Sequence, residues 1–233
     1  ASHELQTLDV YHLTKSPSAL WVIFIHGGAW RDPRITCSAG NPLINHLLSA
    51  SLPMPINAAS LNYRLSSSHP SPIRHPDHID DVQAALQHLR THYGMREYAL
   101  VGHSAGATLA FQALASAQHP PRAIYGLEGI YDLRALVAEY PDYRGFVEGA
   151  FGAEQAGWPA PLALGGYTGL VVLAQSDSDE LLSWRQTEEM KGRCEDTIGV
   201  GGGLRVVKVV GRHDEVLGCE RVAGVVERYL REL

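Results

Sequence analysis

The stretch GHSAG, Gly102 to Gly106, sets a serine between two glycines where an apolar run, EYALVG from Glu97, gives way to the alanine-rich ATLAFQAL. A strand turning sharply into a helix would lift the Ser104 hydroxyl clear of a sheet, and the glycines would permit the strained backbone and close approach that such a turn requires. The helix N-terminus would then aim the N–H of Ala105 at negative charge developing on a substrate. Ser104 is the candidate nucleophile.

A second glycine pair lies in IHGGAW, where His26, Gly27, Gly28, Ala29 and Trp30 follow the apolar run ALWVIFI. At a strand end such a loop turns successive main-chain N–H groups toward one point, which is how an oxyanion hole is made. Gly28 and Ala29, together with Ala105, are the expected donors, each worth ~2.7–4 kcal/mol of transition-state stabilisation. His26 leads the turn instead of facing Ser104, so its expected task is to hold the loop by hydrogen bonds.

A serine hydroxyl needs a base, and the chain has 12 histidines. His213 follows the last apolar run, LRVVKVVG, and precedes the terminal helical pattern, which sets it at the same sheet edge as Ser104. His103 is adjacent to the serine and points elsewhere, while His69, His75, His78, His88, His92 and His119 sit in polar or helical segments that suit a solvated surface. The carboxylate that orients the base is expected in AQSDSDELLSWRQ. Asp179 is favoured there and Asp177 is read as a turn cap; Asp132 in GIYDL stands as an alternative, and Asp214 as a surface neighbour of the base.

Seven strand-like segments alternate with helical ones, the pattern of parallel crossover units. They are Leu5–Leu13, which alternates apolar and polar residues like an edge strand, then Ala19–Ile25, Ile56–Tyr63, Glu97–Gly102, Arg122–Gly129, Gly169–Ser176 and Leu204–Gly211. Asn41-Pro42 predicts a capped helix start, and Ile79, Val82, Leu86, Leu89 and Tyr93 line one helical face. The stretch after Ala105 and the C-terminal RVAGVVERYLREL supply further helices. Residues 131–168 break the rhythm and are expected to form a small lid-like insertion over the carboxyl edge of the sheet, within a single domain spanning 1–233. The fold class is α/β, a mostly parallel central sheet flanked by helices.

Composition narrows the partners. With 19 basic against 25 acidic residues and a net charge of −6, no polyanion-binding surface and no nucleic acid partner is expected. Cys37, Cys194 and Cys219 are odd in number, scattered and free of any CxxC pair, which argues against a disulfide framework and for a reducing, cytoplasmic setting. No apolar run approaches the ~18 residues of a membrane span, and ASHELQTLDVYHL is unlike the apolar stretch of a signal peptide. No membrane partner, cofactor or metal is expected.

Taken together, HGGAW, NYRLS, GHSAG, GIYDL and SDSDELLSWRQT resemble the kynurenine formamidases (arylformamidases) of the α/β-hydrolase fold, in particular the short fungal type, from about Leu5 to the terminal helix. HGGxW and GxSxG are shared with hormone-sensitive-lipase-like carboxylesterases; GIYDL and DELLSWRQT tilt the resemblance to the formamidases. The resemblance implies a triad of Ser104, Asp179 and His213, an oxyanion motif at His26–Trp30, and hydrolysis of N-formyl-L-kynurenine to formate and L-kynurenine in tryptophan breakdown. The partner so implied is a small aromatic formamide, with a homodimer as the admissible assembly. A flat slot for its ring would be lined by Trp30, Tyr131, Trp158 and Trp184. The rivals are a broad carboxylesterase and, from another class, a non-catalytic binding protein on the same fold.

Overall fold

A computed structural model describes residues 3–11, 14–66, 72–115, 117, 119–159, 164–199 and 202–233. Seven strands form one sheet: β1 (Leu8–Tyr11), β2 (Leu20–Ile25), β3 (Ile56–Leu61), β4 (Glu97–His103), β5 (Ala123–Leu127), β6 (Leu170–Ser176) and β7 (Gly203–Val209). Their spatial order is β1-β3-β2-β4-β5-β6-β7. Only β1 runs antiparallel to its neighbour, and the other pairings are parallel. The ends Leu5–Tyr11 of the first expected strand fall on or before β1, while His12 and Leu13 lie outside the described residues, as does His69.

Helices cover both faces, which is why the central strands are apolar without alternation. Along β2, Trp21, Ile23 and Ile25 face one core, shared with α2 (Asp77–Tyr93) and α3 (Ala105–Ala115), whereas Leu20, Val22 and Phe24 face the other, shared with α1 (Asn41–Ser49) and α7 (Glu220–Leu230). The expected α2 face is buried at Ile79, Val82, Leu86 and Leu89, but Tyr93 remains 39% exposed. It sits in the last turn and meets Trp21 and His88 edge-on, at 5.9 and 5.8 Å. At α1 the cap is Gly40 and not Asn41, because a 3-10 turn at Cys37–Gly40 runs straight into the helix and draws Asn41 into its first turn.

Between β5 and β6 the chain makes a helical excursion of α4 (Leu133–Glu139) and α5 (Arg144–Phe151); α6 (Trp184–Thr197) follows β6. Residues 160–163 of the expected insertion lie outside the described residues. Among the described residues no helix is long and apolar enough to cross a membrane, and all three cysteines are unbridged.

The carboxyl ends of the parallel strands share one edge. The chain leaves β2 for β3 on one side and then crosses to β4 on the other, so the strand order reverses between β2 and β4, and a crevice is expected above that point. The loop at His26–Trp30 and the turn at Ser104 flank it. Close packing fixes this junction. A Cβ on Gly106 would fall inside contact distance of the Ile25 and His26 carbonyls, and one on Gly102 would strike the backbone of the α3 start. Gly106→Ala should therefore lower the unfolding free energy by about 3 kcal/mol in urea titrations. Gly145→Ala, at an exposed α5 position where a Cβ meets nothing within 4 Å, should be neutral or slightly stabilising.

Candidate active site

Ser104 lies between the end of β4 and the start of α3 with a left-handed φ of 54°. Its own main chain ties the turn to the neighbouring strand: the Ser104 N–H donates to Leu127 O at 2.9 Å, and its carbonyl accepts from Ile130 N at 3.2 Å. The side chain opens into a cavity of about 660 Å³, whose wall also includes Gly28, Ala29 and His213.

The loop after β2 has three successive positive φ values, 89° at Gly28, 51° at Ala29 and 57° at Trp30. Its carbonyls are drawn inward. The Tyr63 hydroxyl lies 3.0 Å from both the His26 and the Gly27 carbonyl oxygens, and the His26 ring, stacked on Tyr63 at 4.4 Å, donates from Nδ1 to Gly27 O at 2.9 Å. Burial pulls the His26 pKa down to about 4, so the ring is neutral at pH 7 and fitted to hold the loop. With the carbonyls engaged, the N–H groups of Gly28, Ala29 and Ala105 have no hydrogen-bond partner among the described residues. Gly28 and Ala29 line the cavity and Ala105 follows Ser104 at the first position of α3, so these unpaired donors are placed to receive a developing oxyanion.

His213, 3% exposed, follows β7. Its Nδ1–H donates to Asp179 Oδ2 at 2.9 Å, leaving Nε2 for the cavity that Ser104 shares; no Ser104–His213 hydrogen bond is present in this structure, and such contacts are commonly loose before substrate binds. The loop carrying His213 is held from three sides. Its carbonyl accepts from His103 Nε2 at 3.0 Å, its N–H donates to Glu180 at 3.1 Å, and Ser176 Oγ donates to the Gly211 carbonyl at 2.7 Å. His103 does point away from Ser104, but toward this loop. Burial, reinforced by the nearby His213, pulls its pKa down to about 3.

Asp179 Oδ1 accepts from the N–H groups of Leu181 and Leu182 at 2.8 and 2.9 Å. Burial alone would raise its pKa; the bonds from His213 and Glu128 outweigh that and hold the carboxyl well below the usual carboxylate range. The other acids lie elsewhere. Asp177 accepts from the Trp184 indole at 2.8 Å and pairs with Lys208. Asp132 caps α4 and bridges to Arg193 at 2.6 Å. Asp214 is exposed on the cavity rim.

Sequence reasoning passed over Glu128, the residue after β5. It is fully buried, with a φ of 49°. Its Oε1 accepts from Ser176 N at 3.0 Å, and its Oε2 lies 3.8 Å from His213 Nδ1. Burial, followed by the Asp179 carboxylate beside it, pushes its pKa up to about 10. The available signal was an acid closing an otherwise apolar strand, in GLEG.

None of the four aromatic residues expected in the slot lines the cavity. Trp30 is fully buried, its ring turned inward against Phe151 at 4.9 Å and Phe146 at 6.2 Å. Tyr131 packs edge-on to Phe111 over Gly126 and Gly129, where a Cβ would collide with its ring. Trp158 is buried and donates to the Gly152 carbonyl at 2.7 Å, and Trp184 lies on the surface beside Asp177. Tyr143 and Phe146, next to and within α5, line the cavity instead, with Ile130, Leu181 and Leu182.

Among the described residues two groups of three side chains have ligand atoms within 4.8 Å of one another, His103 with His213 and Asp214, and Glu128 with Asp179 and His213. Both include His213, so a cation in either would occupy the candidate base. The second group is already bonded internally.

A mostly parallel seven-stranded sheet, helices on both faces and a serine turn at its carboxyl edge define an α/β hydrolase. A truncated carbohydrate esterase from gut microbiota superposes with a TM-score of 0.73 at 18% identity, covering 100% of this chain and 92% of that one. The BD-FAE family model matches residues 8–128. The kynurenine formamidase of Meyerozyma guilliermondii is 40% identical over 207 residues, 81% of this chain and 76% of that protein; one from Aspergillus versicolor is 34% identical, covering 88% and 86%. The chain belongs to the kynurenine formamidase family.

Glu128 links this site to stability. The folded chain retains a proton that the unfolded chain releases near pH ~4.3, so the stability it contributes is greatest below that pH and declines as pH rises to about 10. Below about pH 6.5 the buried neutral His26 and His103 work in the opposite sense. Between about pH 7 and 9 the unfolding free energy should thus fall with a slope approaching 1.4 kcal/mol per pH unit, and Glu128→Gln should flatten it in urea titrations.

Proposed function

We propose that this chain is an arylformamidase that hydrolyses N-formyl-L-kynurenine to L-kynurenine and formate with a Ser104–His213–Asp179 triad. The observation that carries it is a convergence: a serine on a strained turn, the unpaired main-chain N–H groups of Gly28 and Ala29 and a carboxylate-bound imidazole share one cavity in a member of this family.

In the first half-reaction Ser104 Oγ attacks the formyl carbon while His213 Nε2 takes its proton. The carbonyl oxygen becomes an oxyanion facing the N–H groups of Gly28, Ala29 and Ala105. His213 then protonates the aryl nitrogen, the C–N bond breaks, and the amine leaves with a formyl ester on Ser104. Water attacks that ester with His213 as base, releasing formate and restoring the hydroxyl. The formyl group needs little room, whereas the amine side has an aromatic ring that Tyr143 and Phe146 can flank.

Charge near the cavity suits the amino-acid end of the substrate. Arg34 is committed to Asp32, at 2.7 Å. Arg31 lines the same cavity with its guanidinium 5.3 Å from the Phe146 ring centroid and no salt bridge among the described residues, which leaves it for the α-carboxylate; Asp142, also lining the cavity, can take the ammonium group.

Ser104→Ala should lower kcat by about 10⁴-fold or more with the fold retained. In the unaltered protein, N-formylkynurenine should be cleaved with a higher kcat/KM than short p-nitrophenyl esters; ester turnover without formamide turnover would instead establish a carboxylesterase. Arg31→Ala should raise KM for N-formylkynurenine about tenfold, equivalent to roughly 1.4 kcal/mol, and leave KM for an uncharged p-nitrophenyl ester unchanged.

A further inference from the structure

Two carboxyl groups, not one, face His213 Nδ1. Asp179 Oδ2 is 2.9 Å away and Glu128 Oε2 is 3.8 Å away, each delivered by the end of a neighbouring parallel strand, β6 and β5. The Gln175 side chain spans them: its Nε2 donates to Asp179 Oδ2 at 2.9 Å and to Glu128 Oε2 at 3.2 Å, and its Oε1 accepts from Thr187 at 3.2 Å, which fixes the amide orientation. Both carboxyl side chains are completely buried. Two negative charges so close together in a dry site repel strongly, so one carboxyl holds a proton.

We propose that Glu128 is a positioning residue for His213: it carries the proton that joins it to Asp179, and it becomes the acceptor for His213 Nδ1–H when Asp179 is neutralised. Asp179 stays ionised because it takes the His213 bond and two main-chain N–H groups, while Glu128 receives only the Ser176 N–H and a shared Gln175 amide. The titratable groups around Glu128 agree on the sign. Asp179 and Glu180 from the loop after β6 disfavour its ionisation; Tyr131, from the segment before α4, is held neutral by burial, as is His103 from β4. The remaining neighbour is His213 itself. If Asp179 becomes an asparagine, the repulsion disappears while the burial stays, so Glu128 ionises at a lower pH than before, and once it has done so the nearest anion to Nδ1 is its carboxylate.

This inference rests on the triad assignment but not on the substrate. The test measures Ser104 phosphonylation by a fluorophosphonate, which needs no formamide. An aspartate-to-asparagine change in a triad whose acid stands alone costs about 10⁴-fold. Here Asp179→Asn should lose only about 10²-fold, and Asp179→Asn/Glu128→Gln should fall the rest of the way. The residual rate of Asp179→Asn should also climb with pH through an ionisation that the double variant lacks, a response that a purely structural Glu128 would not give. Superimposable rates and pH profiles for the single and double variants would overturn the proposal. A second readout uses the unaltered protein: its infrared spectrum at pH 8 should contain a protonated-carboxyl band that vanishes in Glu128→Gln, and absence of that band in the unaltered protein would equally overturn it. Labelling without formamide cleavage would reject the proposed substrate and leave this inference standing.

Discussion

Left-handed backbone at the ends of parallel strands is the constraint on which the rest depends. Among the described residues four with side chains have positive φ: Ala29, Trp30, Ser104 and Glu128. All four lie where β2, β4 and β5 end, at the candidate site. Each such conformation costs of order 1–3 kcal/mol and persists only where its surroundings over-determine it. Main-chain bonds across the edge do this. Ser104 N is tied to Leu127 O at 2.9 Å, Glu128 N to Ala174 O at 2.8 Å, and Trp30 O to Ser66 N at 2.8 Å. The strain turns the chain sharply enough to raise a hydroxyl and expose amide hydrogens that a relaxed strand would pair.

The second constraint is where charge is permitted. The crevice floor holds His26, His103, Glu128, Asp179 and His213, all with little or no side-chain exposure. Burial keeps His26 and His103 neutral, so they act through geometry, one clasping the loop after β2 and the other the His213 carbonyl. Ionisation is confined to Asp179, where four N–H donors compensate it. A dry floor strengthens the bond between Asp179 and the imidazole but excludes a second uncompensated anion, which accounts for the proton on Glu128.

Much of this was legible in the sequence, and for physical reasons. Strand cores are continuous apolar runs when both faces are covered, so β2, β4 and β6 could be read directly. The sharp turns at Ser104 and at Gly28–Trp30 were legible because backbone strain and close packing demand small residues at fixed offsets, as Gly102, Gly106 and Gly28 record. Glu128 was not legible: its significance arises from the pairing of β5 with β6, which brings residues 128 and 179 together across about fifty positions of chain. The slot residues were misassigned because aromatic character alone does not say which way a ring points. A left-handed φ at Trp30 turns its indole into the core, and the space left by Gly126 and Gly129 draws Tyr131 down, so the cavity wall is made by Tyr143 and Phe146, where pattern gave no cue.

The same sheet edge serves esterases of little sequence similarity, as the 18% identical carbohydrate esterase illustrates, so the edge itself does not choose a substrate. Choice resides in what stands above it. In the proposed reaction the acyl side accepts a single carbon, which asks only that the oxyanion loop and the elbow stay close, and Gly106 against the Ile25 carbonyl secures that. The amine side asks for a flat ring and a charged end. Phe146 from α5 and Arg31 from the loop after β2 meet over the cavity at 5.3 Å, so one contact joins the aromatic wall to the cation. An amide whose leaving group lacks a ring or a carboxylate would forgo both interactions while facing identical chemistry at Ser104, and discrimination against it follows from binding alone.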